Sequence, residues 1–266
     1  MTDDASPSPI RKVALAVAAH PDDIEFVMSG TMMHLKEAGY ELHYLNVADG
    51  CCGTTQYSRE EIAALRREEG RAAAAYLGAH FHESLTSDLE IFYDKPTLTR
   101  LASIMREVRP GIVLTHSPAD YMEDHVNTCR LAVTALFSRG MPNFPVDPPR
   151  APTLDSAVIY HAQPYGNQDG LRRPVEPDLF VDVSMHQKRK AEMLALHQSQ
   201  KRWLDESQGL DSYIHTMHRL DAEVGRLSSV FTAAEGWRRH LHLGFAAEGD
   251  DPLREALGKH AFARRF

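Results

Sequence analysis

Only three cysteines occur in the 266 residues, Cys51, Cys52 and Cys129, and two of them are neighbours in the chain. Adjacent cysteines do not readily bridge each other, so a disulfide framework is excluded, and the spacing of a zinc-cysteine cluster is absent too. Any metal must be held by nitrogen and oxygen. Positive charge is also scarce: 29 Lys and Arg stand against 37 Asp and Glu, a formal net charge of -8. That balance does not advertise the basic patch that a phosphate backbone or an anionic membrane requires, so neither nucleic acid nor membrane is an expected partner. No apolar run approaches the roughly 18 to 20 residues of a membrane helix. The opening MTDDASPSPI places acids and prolines where a signal peptide carries basic and then apolar residues, so a cytoplasmic protein is expected. Two catalytic signatures are missing. The first turn holds HPDDIE in place of G-x-G-x-x-G, which removes the phosphate-cradling glycines of a dinucleotide enzyme, and no G-x-S-x-G elbow marks a serine hydrolase.

What is present is an ordinary core, with 43% hydrophobic and 25% charged residues. Residues 1–10 read as a frayed arm and 11–266 as one domain. KVALAVAA is a continuous apolar run, as expected of a parallel strand covered on both faces. FVMSGTMMHLKEAGY reads as a helix ending near Gly39, and ELHYLNVA as a second strand. SREEIAALRREEGRAAAAYLG is a strong helix, with a capping-box pattern at Ser58 and Glu61 and a stop at Gly78. A short strand near 79–85, a helix over 96–108 and the strand GIVLTHS follow. This alternation predicts an α/β fold: a doubly wound, Rossmann-like, mostly parallel sheet with helices on both faces and ligands at its carboxyl edge. MPNFPVDPPRAPTLD, with five prolines in fifteen residues, is a surface excursion, since SAVIYHAQ and DLFVDV resume as strands. From Met185 onward the chain reads as largely helical.

His20, Pro21, Asp22 and Asp23 begin where the first strand ends, at the crevice where open sheets bind ligands. His20 and Asp23, three apart on a turn entering a helix, can converge on one divalent ion while Asp22 points elsewhere. EDHVNT, 123–128, follows the fourth strand and offers His125 as a third ligand. A His, Asp, His set with a position left for water describes an open catalytic zinc site, and the spare carboxylate Asp22 can then take a proton from the attacking water. The bland alternative, in which an aspartate of HPDD merely caps free helix amides, is equally open on the pattern alone.

AHPDDIEFVMSGT closely resembles the AHPDDE…GGT signature of the PIG-L/LmbE family of zinc-dependent N-deacetylases. Arg66, Glu69, Ala73, Ala74, Leu77 and Gly78 resemble its R-x-x-E-x-x-x-A-A-x-x-L-G helix. Asp88 resembles the acid after its third strand, VRPGIVLTH its RPDVVLTH strand, and KAEMLALHQSQ, 190–200, its K…AL…H-x-S-Q helix. The resemblance implies that His20, Asp23 and His125 bind zinc (His and Asp ligands also accept Fe2+) and that Asp22 is the general base. It implies hydrolysis of an N-acetyl group, usually on an N-acetylglucosamine derivative, with a tetrahedral oxyanion held partly by the ion. It leaves open a homo-oligomer, an amidase acting on a thiol conjugate, and a non-catalytic sugar or nucleotide binder.

The family's second motif reads H-P-D-H, whereas this chain has Met122, Glu123, Asp124 and His125. The first histidine, which in relatives stabilises the oxyanion or protonates the leaving amine, is replaced by a thioether with no proton to donate. Asp124 is retained and is expected to orient a ligand. His116 and His197 are the candidates to supply the missing imidazole. Ser29 stands where the family often has glycine and should preserve close helix–strand approach. Arg66 is expected to pair with Glu69 across one helical turn, the alternative being a hold on a sugar hydroxyl or carboxylate of the substrate. Trp203, Tyr213, Trp237 and WRRHLHLGF form an aromatic tail of core, lid or subunit-contact character.

Overall fold

The computed structural model describes residues 10–201 and 212–264. Residues 1–9 of the expected arm, and Trp203, lie outside them. The strands are β1 (Val13–Ala18), β2 (Glu41–Asn46), β3 (His80–His82), β4 (Ile112–Thr115), β5 (Val158–Ala162), β6 (Leu179–Asp182), β7 (Ala234–Arg239) and β8 (Ala261–Ala263). They form one sheet in the order β3-β2-β1-β4-β5-β7-β6-β8. From β3 to β5 every pairing is parallel. Beyond β5 the pairings are antiparallel. The sheet is thus mostly parallel, with an antiparallel wing that takes its last strands from the tail read as helical. β7 is the stretch AEGWRR: Trp237 is fully buried in it, so this tryptophan is core.

The all-buried β1 explains its unbroken apolar sequence. Ala14, Ala16 and Ala18 face one core with Met32, Met33, Ala73 and Leu77, whereas Val13, Leu15 and Val17 face another with Leu101, Met105, Leu131 and Leu136. Period-two alternation therefore serves helices on both faces. The helices of the first layer are α1 (Asp23–Val27), α2 (Ser29–Glu37) and α3 (Arg59–Leu77), and those of the second are α4 (Lys95–Val108) and α5 (Glu123–Phe137). α6 (Gln187–Leu194), α7 (Ser212–Ser228) and α8 (Pro252–Leu257) follow. The single helix expected over 26–40 is broken at Met28, where φ is -135°. α3 has the expected cap: Ser58 Oγ accepts from Glu61 N–H, Glu61 answers the Ser58 amide, and Gly78 closes the helix at φ 69°.

Close approach at the start of α2 rests on Gly30, where a Cβ would overlap the Val183 side chain. Ser29 is tolerated beside it, its hydroxyl donating to Glu25 O at 2.8 Å. The free amides there are held from across the fold. Glu235 of β7 accepts from Gly30 N–H at 2.8 Å and Thr31 N–H at 2.7 Å. Lys190 Nζ, fully buried, lies 2.6 Å from Glu235 and 2.8 Å from Asp221. Burial alone would lower the Lys190 pKa, but the two carboxylates overcome it and raise it.

Candidate active site

The strand order reverses between β1 and its two neighbours, β2 and β4, so a crevice opens at their carboxyl ends. Into it come the turn after β1, the loop after β4 and the start of α5. A cavity of about 560 Å³ lies there, lined by His20, Asp22, Asp23, Arg66, Asp88 and His125, with Phe26, Tyr121, Met122, Tyr165 and Tyr213 among its other walls. A depression of about 710 Å³ elsewhere is formed by α4 and the proline-rich excursion, and it holds no such group of His and Asp side chains.

The turn is strained in a way the sequence did not reveal. Asp22 has φ 122°, a region that disfavours any side chain. Its carboxylate makes no capping bond, which sets aside the bland reading for this residue. Asp23 folds back instead, its Oδ2 accepting from His20 N–H at 2.7 Å. Arg66 secures the turn from α3, its guanidinium donating to Pro21 O and, at 3.2 Å, to Gly50 O. The expected Arg66–Glu69 pair is thereby corrected. Glu69 accepts from Ser199 N–H and Oγ–H at 2.8 and 2.6 Å, while the buried Arg66 guanidinium also lies 3.7 Å from Asp22 Oδ2 and 4.0 Å from Asp88 Oδ2.

His20, Asp23 and His125 converge, with one ligating atom of each within 4.8 Å of the others. His20 Nδ1 is 3.5 Å and His125 Nε2 3.4 Å from the Asp23 oxygens. These spacings are close to the edge, roughly 3.4 Å, of a tetrahedron with legs of about 2.0–2.1 Å. The far nitrogens decide the tautomers. His20 Nε2 lies 2.9 Å from Asp124 Oδ2, and His125 Nδ1 lies 3.1 Å from Asp120 Oδ1. A carboxylate can only accept, so each far nitrogen carries the hydrogen, and the lone pairs of the near nitrogens face Asp23. Asp124 also accepts from Leu89 N–H at 2.8 Å, which fixes its own orientation. The donor set fits a divalent cation. Burial lowers the His20 pKa, but hydrogen bonds to Asp124 and Asp23 raise it to about 10.

Asp22 stays outside the ligand set and faces the cavity. Burial pushes its carboxyl up to about 6, against the lowering pull of Arg66. Tyr213 O–H donates to its Oδ2 at 2.7 Å. The sequence offered no sign that a tyrosine of the tail would reach this carboxylate, nor that Asp120 would orient His125. An acid five residues before a candidate ligand was the one available hint.

The two histidines considered as substitutes for the missing motif imidazole do not line the cavity among the described residues. His116 stacks on His125 with ring centroids 4.1 Å apart, and its Nε2 accepts from Ala19 N–H at 2.9 Å, so that nitrogen is committed to the backbone. His197 is fully buried, its Nε2 3.3 Å from Glu25 Oε1. Burial lowers its pKa, but Glu25 and Asp22 together raise it. Cys52 reaches the cavity and Cys51 does not. Asp88 accepts from the Gly50 and Cys52 amides at 2.7 and 3.0 Å and orders that loop.

The family model described as GlcNAc-PI de-N-acetylase, PIG-L, matches residues 15–136, which span β1 to α5 and so contain the whole ligand set. Diacetylchitobiose deacetylase of Thermococcus kodakarensis is 31% identical over 196 residues, 71% of this chain and 70% of that protein. The chain belongs to the PIG-L/LmbE family. The family resemblance extends to more than one chemistry: 4-oxalmesaconate hydratase of Pseudomonas putida is 30% identical over 182 residues, 65% of this chain and 68% of that protein. Among solved structures, N,N'-diacetylchitobiose deacetylase of Pyrococcus horikoshii superposes with a TM-score of 0.73 at 26% identity, covering 87% of this chain and 85% of its own. The hydratase GalB of Pseudomonas putida KT2440 shares the fold, with a TM-score of 0.72 at 24% identity, covering 90% of this chain and 98% of its own.

Proposed function

We propose that this PIG-L/LmbE protein is a zinc-dependent N-deacetylase that hydrolyses the acetamide of an amino sugar or a related acylated amine. The observation that carries the reading is the pairing of a three-residue ligand set, His20, Asp23 and His125, with a free carboxylate, Asp22, facing the same cavity. A divalent ion held by those three residues would supply Lewis-acid polarisation of the amide carbonyl and of a water.

The chain's own residues carry the protons. Asp22 accepts a proton from the attacking water as the carbon–oxygen bond forms, and the hydrogen bond from Tyr213 keeps its carboxylate in place. When the carbon–nitrogen bond breaks, the same Asp22 hands that proton to the leaving nitrogen, so acetate and a free amine result. One carboxyl serving both steps removes the need for the imidazole that Met122 displaces. Asp124 and Asp120 act as positioning residues through the far nitrogens of His20 and His125. Phe26, Tyr121 and Tyr165 form an aromatic wall suited to the apolar face of a sugar ring, with Tyr121 and Tyr165 partly exposed at the rim.

The second reading is hydration of an unsaturated polycarboxylate, favoured by the 30% identical hydratase and by Met122. The charge of the cavity weighs against it. Its described lining holds three carboxylates, Asp22, Asp23 and Asp88, and its one guanidinium, Arg66, donates to two backbone carbonyls. A neutral amide entering, and an ammonium leaving, suit that lining better than a polyanion. The test is acetate release from a panel of N-acetylated amino sugars with zinc or iron(II) supplied, run beside loss of ultraviolet absorbance from unsaturated dicarboxylates and tricarboxylates. Release of acetate that disappears in Asp22→Asn supports the deacetylase. Hydration without any acetate release overturns it.

A further inference from the structure

A second histidine cluster stands apart from the cavity and shares none of its lining residues. His34 and Glu37, three apart on α2, face His186 in the 3-10 turn Ser184–His186 that leads into α6. One ligating atom of each lies within 4.8 Å of the others. His34 is buried, and its Nε2 lies 2.7 Å from Asp182 O. A carbonyl oxygen only accepts, so the hydrogen is on Nε2 and the Nδ1 lone pair is bare on the side of Glu37, 3.9 Å from its Oε2. His186, 2% exposed, has no hydrogen-bond partner for its Nε2 among the described residues, and that atom lies 3.7 Å from the same Glu37 oxygen. The two rings meet edge to face at 4.3 Å. Glu37 Oε1 takes Arg189 Nη1 at 3.2 Å, which steadies the carboxylate and leaves Oε2 toward the imidazoles.

A buried nitrogen without a partner is costly, and here it is aimed at a carboxylate oxygen and flanked by a second bare nitrogen. We propose that His34, His186 and Glu37 form a second metal site, for a borderline divalent transition ion such as zinc or nickel, that clips α2 to the turn before α6. Nitrogen and carboxylate donors select that class over calcium or magnesium. The separations exceed a tetrahedral edge of roughly 3.4 Å by a few tenths of an ångström. Glu37, half-exposed, has the freedom to close the gap and provides the way in from solvent. Burial lowers the His186 pKa, in keeping with a neutral ring ready to ligate. His260, stacked on His34 at 4.7 Å, flanks the site.

Cobalt(II) titration followed by absorbance, with zinc content measured after dialysis, tests this independently of catalytic turnover. The intact chain is expected to bind two equivalents, and His186→Asn one, with acetate release unchanged. Glu37→Gln, a surface change that leaves the core packing intact, is expected to weaken the second equivalent by at least about tenfold. Zinc should raise the melting temperature of a His20→Ala chain, which lacks the first site, and should fail to do so once His186→Asn is added. The proposal is overturned if the intact chain binds a single equivalent, or if both His186→Asn and Glu37→Gln bind as much metal as the parent. Failure of the deacetylase reading would show instead as no acetate release with both equivalents bound.

Discussion

At the scale of single residues the site separates into groups that face the reaction and groups that aim them. Asp22→Asn keeps the shape of the turn but removes the proposed base. Amine release should fall by at least about 100-fold while the metal content of the purified chain stays that of the parent. Asp124→Ala acts at one remove. Without its carboxylate, His20 loses the partner that fixes its tautomer, so metal affinity should drop by about 10- to 100-fold, measured by competition with a chelator, and turnover should recover at saturating metal. His20, Asp22, Asp23 and His125 were all legible as candidates, because a pair of acids beside an imidazole at the end of an apolar strand has few structural excuses. Asp120 and Tyr213 were not. Both lie outside the motifs and act through hydrogen bonds to the motif residues His125 and Asp22, and a lone aspartate or tyrosine carries no period or spacing that marks such a bond. The pairing expected for Arg66 was wrong for a related reason: helical spacing describes what is near on one element, and the guanidinium bonds to two others.

At the scale of elements, helix starts and the contacts between layers matter most. The capping box of α3 and its glycine stop were read from sequence because each uses residues adjacent in the chain. The break at Met28 was not, since it answers to Gly30 packing on Val183 and to Glu235 arriving from β7. Lys190 links these parts. Lys190→Met would leave Glu235 and Asp221 buried without their cation, at a cost of about 3–5 kcal/mol, and should lower the melting temperature by roughly 10 °C in calorimetry. The same substitution should loosen α2, whose first amides depend on Glu235, and so reduce the occupancy of the ion proposed for the active site. The strands of the antiparallel wing were missed where they fell in the tail, because AEGWRR lacks the alternation or apolar run that marks a strand and becomes one only between β5 and β6.

At the scale of the whole molecule, the fifteen histidines set the response to acid. His161 is buried beside His240 and His82 is half-buried beside His43, and desolvation is the first cause that lowers His161 and His82 to about 4. A histidine held below its unfolded value of about 6.5 contributes stability that is present above that value and is lost as the pH falls toward 4. His20, His125 and His197 are raised, so their contribution is already complete below about 6.5 and does not grow on further acidification. Asp22 and Asp221, both pushed up to about 6, take up protons on the way down and offset part of the loss. Urea unfolding at pH 7 and pH 5 should show a lower midpoint at pH 5. In His161→Gln the difference in unfolding free energy between the two pH values should shrink by about 2 kcal/mol. No helix of the described residues is long and apolar enough to cross a membrane.

By itself the sequence determined the alternation of strands and helices, the identity of the three candidate ligands and of the free acid, and the absence of the second motif's first histidine. Each of these is written in residues close together in the chain, where spacing alone constrains geometry. Only the tertiary structure decided which nitrogens are bare, which carboxylates aim them, why neither His116 nor His197 reaches the cavity, and that His34 meets His186. Those outcomes depend on residues brought together by the packing of helices across a twisted sheet, and no local pattern encodes the distance between two side chains that are more than a hundred positions apart.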